Sequence, residues 1–421
     1  MKPEIDLVLK QISSFTIIGL FALSLVLVTL WLIYRRRETK LQPECVDLEF
    51  EATGVRYRGY RYPLAGAPVM LMIHGYSGNC NNWREMALYA RTRGFEVWVP
   101  NLRGHGKGSQ RSEVNPHSSS DYGFESIIHF DMSNIVEEAV RQSGRKVSLV
   151  AHSMGGMCVK AYLGGAYMDS YGKISFSSER AELRCQTQVN NAILIGSPFR
   201  FGHFPSFLKW FTKLLPDLST QLQFMITAPS SKPQATGSLT NSETNTDAKN
   251  PSGLALITGA IRTLHTRLLT ELGTQITERD FIKGLINSDN FDANLQELRS
   301  MLTNGVSKVH RDLIRDVNLW AASGRIETRS GANLSIVHSI KVPLLFVAGD
   351  LDRLAVNEDV TEESQLYNSA GIKNWLILMK NTSHVDLISG NRAANLLGKY
   401  VVNFSRNPKS LGRKLRIEVK D

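Results

Sequence analysis

Cysteine is scarce in this sequence of 421 residues, which contains only Cys45, Cys80, Cys158 and Cys185. No two of them form a Cys-x-x-Cys pair and none has the histidine spacing of a zinc ribbon, so a disulfide scaffold is not expected. Long apolar runs are equally rare: only one could cross a bilayer, which excludes a polytopic membrane protein. Hydrophobic residues still make up 42% of the chain, as in ordinary globular proteins.

The single long apolar run covers residues 15–34 and contains no charged residue. About twenty such residues in a helix match the ~30 Å hydrocarbon core of a bilayer. Trp31 and Tyr34 lie at its end, where aromatic residues meet the membrane surface, and Arg35, Arg36 and Arg37 follow. A cleavable signal peptide is the alternative, but the run exceeds a typical signal-peptide core and no small-residue cleavage site precedes the arginines. The sequence therefore predicts one transmembrane helix.

The charge balance is basic, with a formal net charge of +10. The lysines and arginines are dispersed and no nucleic-acid-binding motif accompanies them, so we expect no nucleic-acid partner. The surplus of positive charge instead favours contact with an anionic membrane leaflet. Positive residues are denser after the apolar run than before it, and the positive-inside rule then predicts that the bulk of the chain lies on the cytoplasmic side.

Short apolar runs begin at residue 69, and each has the length of a strand buried on both faces. Helical patterns such as Asn82–Arg93 and Phe130–Gln142 separate them. This alternation predicts an α/β fold with a mostly parallel, doubly wound sheet. The predicted strands are Val69–Ile73, Phe95–Pro100, Lys146–Ala151, Asn191–Gly196, Val342–Gly349 and Trp375–Met379.

Helical patterns without strands occupy the interval from about residue 199 to 335, at Gly253–Leu272, Phe291–Met301 and Val306–Ala322. We interpret this interval as a helical cap inserted above the sheet, with a flexible polar loop at 228–252. The predicted organisation is an amino-terminal flank (1–14), the transmembrane helix (15–34), a linker (35–48), a core in two parts (49–199 and 336–405), the cap (200–335) and a basic tail (406–421). We expect the tail to be solvated or close to the membrane.

The strongest chemical signal is the segment from Ala151 to Gly156, Ala-His-Ser-Met-Gly-Gly, which lies between a predicted strand and a helix. A nucleophile elbow needs this context, because its tight turn tolerates only small residues two positions before and after the serine. Ala151 and Gly155 meet that requirement around Ser153. The helix that begins at Met154 directs backbone N–H groups at the site, where they favour developing negative charge.

A nucleophilic serine needs a histidine base and an acid that orients it, and in this type of fold the chain order is serine, acid, histidine. Asp352 follows one late predicted strand and His384 follows the next, so both belong to the sheet edge of Ser153. Asp350 is a rival for the acid, although we favour Asp352. A metal site at His384 and Asp386 is not expected, because no third ligand is evident.

The oxyanion hole of such a site needs two convergent N–H donors. Met154, next to the candidate nucleophile, supplies one, and the loop that begins with His74 and Gly75 supplies the other. We choose Tyr76 for this second donor. We expect His74 to be a buried, hydrogen-bonded residue that braces the loop.

Together these motifs resemble the α/β-hydrolase superfamily. The matching segments are His74-Gly75, Ala151–Gly156, Gly349–Asp352 and His384, in that order. The segment Asn101–Ser109 is similar to a loop of monoacylglycerol lipases and lysophospholipases, in which an aspartate usually stands first, and the resemblance implies a structural role for His105. The alanine at the start of the elbow is similar to that of a group of bacterial lipases. The resemblance covers roughly 49–199 and 337–406.

The resemblance and the triad pattern predict a serine hydrolase that cleaves esters through an acyl-enzyme, with no cofactor and no metal. The predicted membrane helix favours lipid acyl esters as substrates. One alternative is transfer of the acyl group to an acceptor other than water, because residues 374–390 are faintly similar to microbial polyester synthases, although those enzymes use cysteine. Another is a binding protein on an inactive hydrolase scaffold. The oligomeric state is not predicted.

Overall fold

The structure, a computed structural model, describes residues 45–115, 121–201, 304–334, 339–412 and 416–419. The predicted transmembrane helix at 15–34 and the predicted loop at 228–252 lie outside these residues, as do the helices predicted at 253–272 and 291–301. Within the described ranges, no helix combines the length and the apolar character that a membrane span requires.

A single large sheet organises the described residues, and its strands lie in the order β1-β2-β4-β3-β6-β9-β10-β11-β12, with β5 paired to β2. Strands β1 and β2 are antiparallel, as are β2 and β4, whereas every neighbour from β4 to β12 is parallel. A separate hairpin is formed by β7 and β8. The strands are β1 (Val46–Ala52), β2 (Val55–Tyr62), β3 (Val69–Ile73), β4 (Glu96–Pro100), β5 (Glu113–Val114), β6 (Val147–His152), β7 (Ala166–Met168), β8 (Ile174–Phe176), β9 (Val189–Ile195), β10 (Leu344–Gly349), β11 (Asn374–Met379) and β12 (Arg416–Val419).

The central strands are buried along their whole length, as expected for parallel strands that are covered on both faces. Every residue of β3, β4, β6, β10 and β11 is buried. The edge strands β1 and β12 are instead partly exposed. The predicted α/β class with a mostly parallel sheet is therefore confirmed, and each of the six predicted strands has a counterpart. The other six strands, β1, β2, β5, β7, β8 and the edge strand β12 within the basic tail, were not predicted.

The helices follow the strands in alternation, as expected for parallel crossovers. A π-helical turn at Ile127–Asp131 precedes α2. The helices of at least seven residues are α1 (Arg84–Thr92), α2 (Met132–Ser143), α3 (Met154–Leu163), α4 (Ser178–Thr187), α5 (Arg311–Ser323), α6 (Asn357–Ser369), α7 (Gly390–Leu396) and α8 (Gly398–Arg406).

The helix predicted at 306–322 begins later than the sequence pattern indicates. Helix α5 starts at Arg311, after His310, whose ring nitrogen Nδ1 accepts a hydrogen bond from the Asp312 amide at 3.3 Å. Residues 305–309 are not helical, and their exposure alternates between buried and intermediate. This part of the prediction was wrong because Val309 fits a helical spacing with Leu313 and also fits the alternation of an extended segment.

The described end of the cap interval belongs to the main apolar core. Val309, Leu313, Trp320 and Leu334 lie in the same buried cluster as the central strands. The described start of the interval contacts its described end: the Phe201 amide donates to the Gly324 carbonyl at 3.0 Å, and Arg200 forms an isolated bridge with Arg325.

Candidate active site

Ser153 lies at the turn between β6 and α3, at the carboxyl edge of the parallel strands. Its backbone has φ +53° and ψ −124°, a conformation that a residue with a side chain adopts at a cost of about 1–3 kcal/mol. Its amide donates to the Ile195 carbonyl of the neighbouring strand β9 at 2.9 Å, which fixes the turn to the sheet. A strand, a strained turn at a serine and a helix in succession are the local structure of a nucleophile elbow.

Small residues around Ser153 allow three chain segments to meet. A Cβ on Gly155 would lie 2.6 Å from the His74 carbonyl oxygen, and one on Gly75 would lie 2.8 Å from the Cβ of Ser153. Ala151 is fully buried in β6 beside Ile73 of β3. The elbow is therefore packed directly against the loop that follows β3, and larger residues at these glycines would separate the two.

The imidazole of His384 lies between Ser153 and Asp352. Its Nε2 is 2.9 Å from the Ser153 Oγ, and its Nδ1 is 2.8 Å from the Asp352 Oδ2. All three side chains are buried, with 9% of Ser153, 4% of His384 and 2% of Asp352 exposed. These distances form a continuous hydrogen-bonded path from hydroxyl to carboxylate, although the residues are separated by 231 and 32 positions in sequence.

Asp352 is held by the backbone through its second oxygen. Its Oδ1 accepts hydrogen bonds from the amides of Leu354 at 2.8 Å and Ala355 at 2.9 Å, which leaves Oδ2 for the imidazole. The rival acid Asp350 is exposed and accepts from the Thr382 amide at 3.2 Å. The structure thus places Asp352, and not Asp350, against His384.

A histidine that the sequence analysis did not select contacts the same loop. The Nε2 of His152 is 3.0 Å from the His384 carbonyl oxygen, and the two rings lie 4.6 Å apart. Burial holds the pKa of His152 well below its usual value, and the neighbouring His384 lowers it further. The neutral ring therefore donates from Nε2 and joins the residue before Ser153 to the backbone of His384. Its position beside the candidate nucleophile was the only available signal.

The two backbone N–H groups predicted to bind an oxyanion belong to Met154 and Tyr76. Met154 is the first residue of α3, and the first N–H groups of a helix have no acceptor within it. Among the residues that the structure describes, the Tyr76 amide makes no hydrogen bond to a backbone acceptor. Gly75, the residue before Tyr76, packs closely against the elbow, since a Cβ on it would lie 2.8 Å from the Cβ of Ser153.

His74 joins the loop after β3 to the loop after β4. Its Nδ1 donates to the Gly75 carbonyl at 2.9 Å, and its Nε2 accepts from the Leu102 amide at 3.0 Å. Burial, with a contribution from His105, lowers the pKa of His74 to about 3, so the ring is neutral as these bonds require. His105 is also buried, with a pKa lowered to about 4 by desolvation, and its Nδ1 lies 2.9 Å from the Arg103 carbonyl oxygen.

A buried ion pair joins α3 to α6. Lys160 of α3 and Glu363 of α6 are both fully buried, and their Nζ and Oε1 atoms are 2.5 Å apart. Burial raises the pKa of Glu363 to about 7, although Lys160 opposes the shift. Sequence analysis missed this pair, because 203 residues separate the partners. It joins the elbow helix to the part of the chain that carries Asp352 and His384.

No group of three or more histidine, cysteine, aspartate or glutamate side chains within the described ranges could hold a metal ion. Asp386, considered above with His384, instead accepts a hydrogen bond from the Ser383 amide at 3.2 Å through Oδ2. His384 directs both ring nitrogens at protein partners.

The strained serine turn, the parallel sheet and the histidine between serine and aspartate define an α/β-hydrolase-fold protein. A family model described as "alpha/beta hydrolase fold" matches residues 68–390, and the chain belongs to this family. A search of curated proteins found no significant match.

Several solved structures resemble the chain at low identity. An esterase from Thermogutta terrifontis is 13% identical, with 86% of this chain and 99% of that chain covered and a TM-score of 0.48. A carboxyl esterase from Bacillus coagulans is 16% identical, with 86% and 97% covered and a TM-score of 0.48. An epoxide hydrolase from Vigna radiata is 16% identical, with 87% and 99% covered and a TM-score of 0.48.

Proposed function

We propose that this protein is a serine hydrolase that cleaves carboxylic esters through a covalent acyl-enzyme. The observation that carries the proposal is the position of His384, 2.9 Å from the Ser153 hydroxyl and 2.8 Å from the Asp352 carboxylate. Serine alone is a weak nucleophile, and a base within hydrogen-bond distance that is oriented by an acid is what activates it. The chain order of the three residues is also that of the α/β-hydrolase fold.

In the first step, the Ser153 Oγ attacks the ester carbonyl carbon while the His384 Nε2 takes the hydroxyl proton. Asp352 holds the Nδ1–H and stabilises the imidazolium that forms. The carbonyl oxygen becomes an oxyanion, which accepts hydrogen bonds from the Tyr76 and Met154 amides. The tetrahedral intermediate collapses, the C–O bond to the alcohol breaks, and His384 returns the proton to the leaving alkoxide.

In the second step, water hydrolyses the acyl-enzyme. His384 removes a proton from the water, and the hydroxide attacks the acyl carbon while the same two amides hold the oxyanion. The bond to Ser153 breaks, its Oγ recovers a proton from His384, and a carboxylic acid leaves. Burial of the imidazole and carboxylate supports this assignment, because a water-poor site strengthens the charge interactions that the mechanism uses.

We further propose that the substrates are lipid acyl esters and that the enzyme is anchored in a membrane with its catalytic part on the cytoplasmic side. The support is the uncharged apolar run at 15–34 and the arginines that follow it. A tethered enzyme meets a substrate that partitions into the bilayer at a raised local concentration.

A fluorophosphonate probe tests the chemistry, because it reacts with an activated serine. The full-length protein should be labelled at Ser153, and Ser153→Ala should lose both labelling and ester hydrolysis. Ser126→Ala is the matched control, since Ser126 is buried and bonded to Asp121 in another part of the fold, and it should be labelled like the wild type. Folded wild-type protein that is not labelled would contradict the proposal.

A panel of esters with graded acyl length tests the substrate class separately. Hydrolysis that increases with chain length and with presentation in vesicles supports lipid esters. Preference for short, soluble esters would overturn the lipid assignment and leave the serine chemistry standing. Protease protection of sealed vesicles tests the orientation, and cleavage of the catalytic part from the non-cytoplasmic side would overturn it.

A further inference from the structure

The loop that carries the Tyr76 amide is held by a residue from the far end of the cap interval. Ser307 is fully buried, and its amide donates to the Ser77 carbonyl at 2.6 Å. Its Oγ accepts from the Asn79 Nδ2 at 3.1 Å and from the Gly106 amide at 2.9 Å. One side chain thus joins the loop after β3, the loop after β4 and the extended segment before α5.

Ser77, the residue after Tyr76, has a strained backbone and accepts a hydrogen bond from Ser307. Ser77 has φ +55°, the left-handed region that residues with a side chain seldom adopt. Such a conformation persists only where surrounding contacts impose it. The amide of Ser307 supplies a contact to the carbonyl of Ser77, one residue beyond the proposed oxyanion donor.

Asn79 completes the connection. Its Oδ1 accepts from the Asn81 amide at 2.9 Å and caps the short helix that follows, while its Nδ2 donates to the Asn304 carbonyl at 2.8 Å as well as to Ser307. The position of the loop after β3 therefore depends on residues 304 and 307. We propose that Ser307 is a positioning residue that places the Tyr76 N–H for binding of the oxyanion. This inference rests on the proposed function.

A positioning role predicts a specific kinetic effect. The transition state bears more charge on the oxygen than the bound ester does, so a displaced donor weakens transition-state binding more than ground-state binding. Ser307→Ala should lower kcat by about tenfold with KM changed less than about twofold. Ser307→Thr retains a hydroxyl and should recover most of the loss.

The closing experiment measures the oxyanion directly, with a trifluoromethyl ketone that adds to the serine and forms a hemiketal oxyanion. Rates are normalised to the fraction of protein that the fluorophosphonate labels at Ser153, so loss of folded protein does not count. For Ser307→Ala, the inhibition constant should rise by about the same factor by which kcat falls. Thr328→Ala is the matched control, because Thr328 is also buried on the returning chain but bonds locally to Ser330 and Ala332. It should leave both quantities unchanged.

Each outcome bears on one proposal or both. Ser307→Ala with unchanged kcat and inhibition constant, in an active enzyme, overturns the positioning role alone. A fall in labelled fraction with normal turnover per labelled site also overturns it, since the residue would then be structural only. If Ser307→Ala does not fold, Ser307→Cys, which replaces the hydroxyl with a weaker acceptor of similar shape, takes its place with the same criteria. Wild-type protein that neither turns over esters nor reacts at Ser153 overturns both proposals.

Discussion

Ser153 lies between two groups of loops that are held in different ways. The proposed acid–base side consists of the loops after β10 and β11, where Asp352 is fixed by the amides of Leu354 and Ala355. The proposed oxyanion side consists of the loops after β3 and β4, which are joined by His74 and by Ser307 from more than 200 residues away. The comparison teaches that the carboxylate of Asp352 is fixed by local backbone amides, whereas the loops after β3 and β4 are joined by side chains that are distant in sequence.

The largest expected effect comes from the acid–base side. Asp352→Asn should lower kcat by about 10⁴-fold, because an amide keeps the shape but no longer holds His384 in the tautomer that accepts the serine proton. Ester hydrolysis per folded protein measures it. Asp350→Asn is the control, since Asp350 is exposed and bonds to Thr382, and it should retain nearly full activity. Equal losses in the two variants would contradict the assignment of the acid.

A smaller effect is expected when the loop after β3 is pushed away from Ser153. Gly75→Ala would place a Cβ 2.8 Å from the Cβ of Ser153, so the loop must move away and carry the Tyr76 amide with it. We expect kcat to fall by about 10²-fold, because a shift near 1 Å is costly for a positioned donor. Gly398→Ala introduces a similar clash, 2.7 Å from Tyr89, in another region. Gly398→Ala should reduce stability without lowering kcat. If it lowered kcat as much as Gly75→Ala does, displacement of the Tyr76 amide would not explain the loss.

The smallest effect concerns stability at acid pH, which tests the neutral histidines of the oxyanion side. The pKa of His74 is lowered to about 3 and that of His105 to about 4, so unfolding takes up protons below pH 6.5 and stability is lost as the pH falls. Each of these two histidines should lower the free energy of unfolding by about 1 kcal/mol for every pH unit below pH 6.5. Glu363 has its pKa raised to about 7, so it releases a proton on unfolding and offsets about one histidine.

Urea unfolding at pH values of about 7 and about 5 measures this balance. The free energy of unfolding should fall between them, because His152, with its pKa also lowered, adds to the other two histidines. His105→Gln should flatten the dependence by about one proton. A stability that rises toward pH 5 would show that the buried histidines are charged in the folded protein.

The sequence predicts the meeting of Ser153, Asp352 and His384 because their positions follow secondary structure. Ser153, Asp352 and His384 each lie in the turn or loop after a buried strand, and parallel strands bring their carboxyl ends to one edge. Only the choice between Asp350 and Asp352 needed more than the pattern. The turn that directs the amides of Leu354 and Ala355 at one carboxylate is a property of the folded backbone.

The oxyanion side could not be predicted to the same depth, because its supports are distant in sequence. Ser307 lies in a segment that the spacing of Val309 and Leu313 assigned to a helix, whereas docking on Ser77 and Asn79 keeps it extended. The Lys160–Glu363 pair could not be predicted for the same reason, because a charged residue in a helix is normally expected on its exposed face. Contacts of this kind depend on the relative placement of elements, on which periodicity carries no information.

The bridge between Arg200 and Arg325 has a consequence for engineering. The bond from the Phe201 amide to the Gly324 carbonyl and the bridge beside it join described residues on either side of positions 202–303, so an exchange of that sequence should retain both. The exchanged sequence should end before residue 304, however, because Asn79 in the loop after β3 donates hydrogen bonds to residues 304 and 307. A chimaera made to change selectivity should therefore splice upstream of residue 304 and keep the native return path.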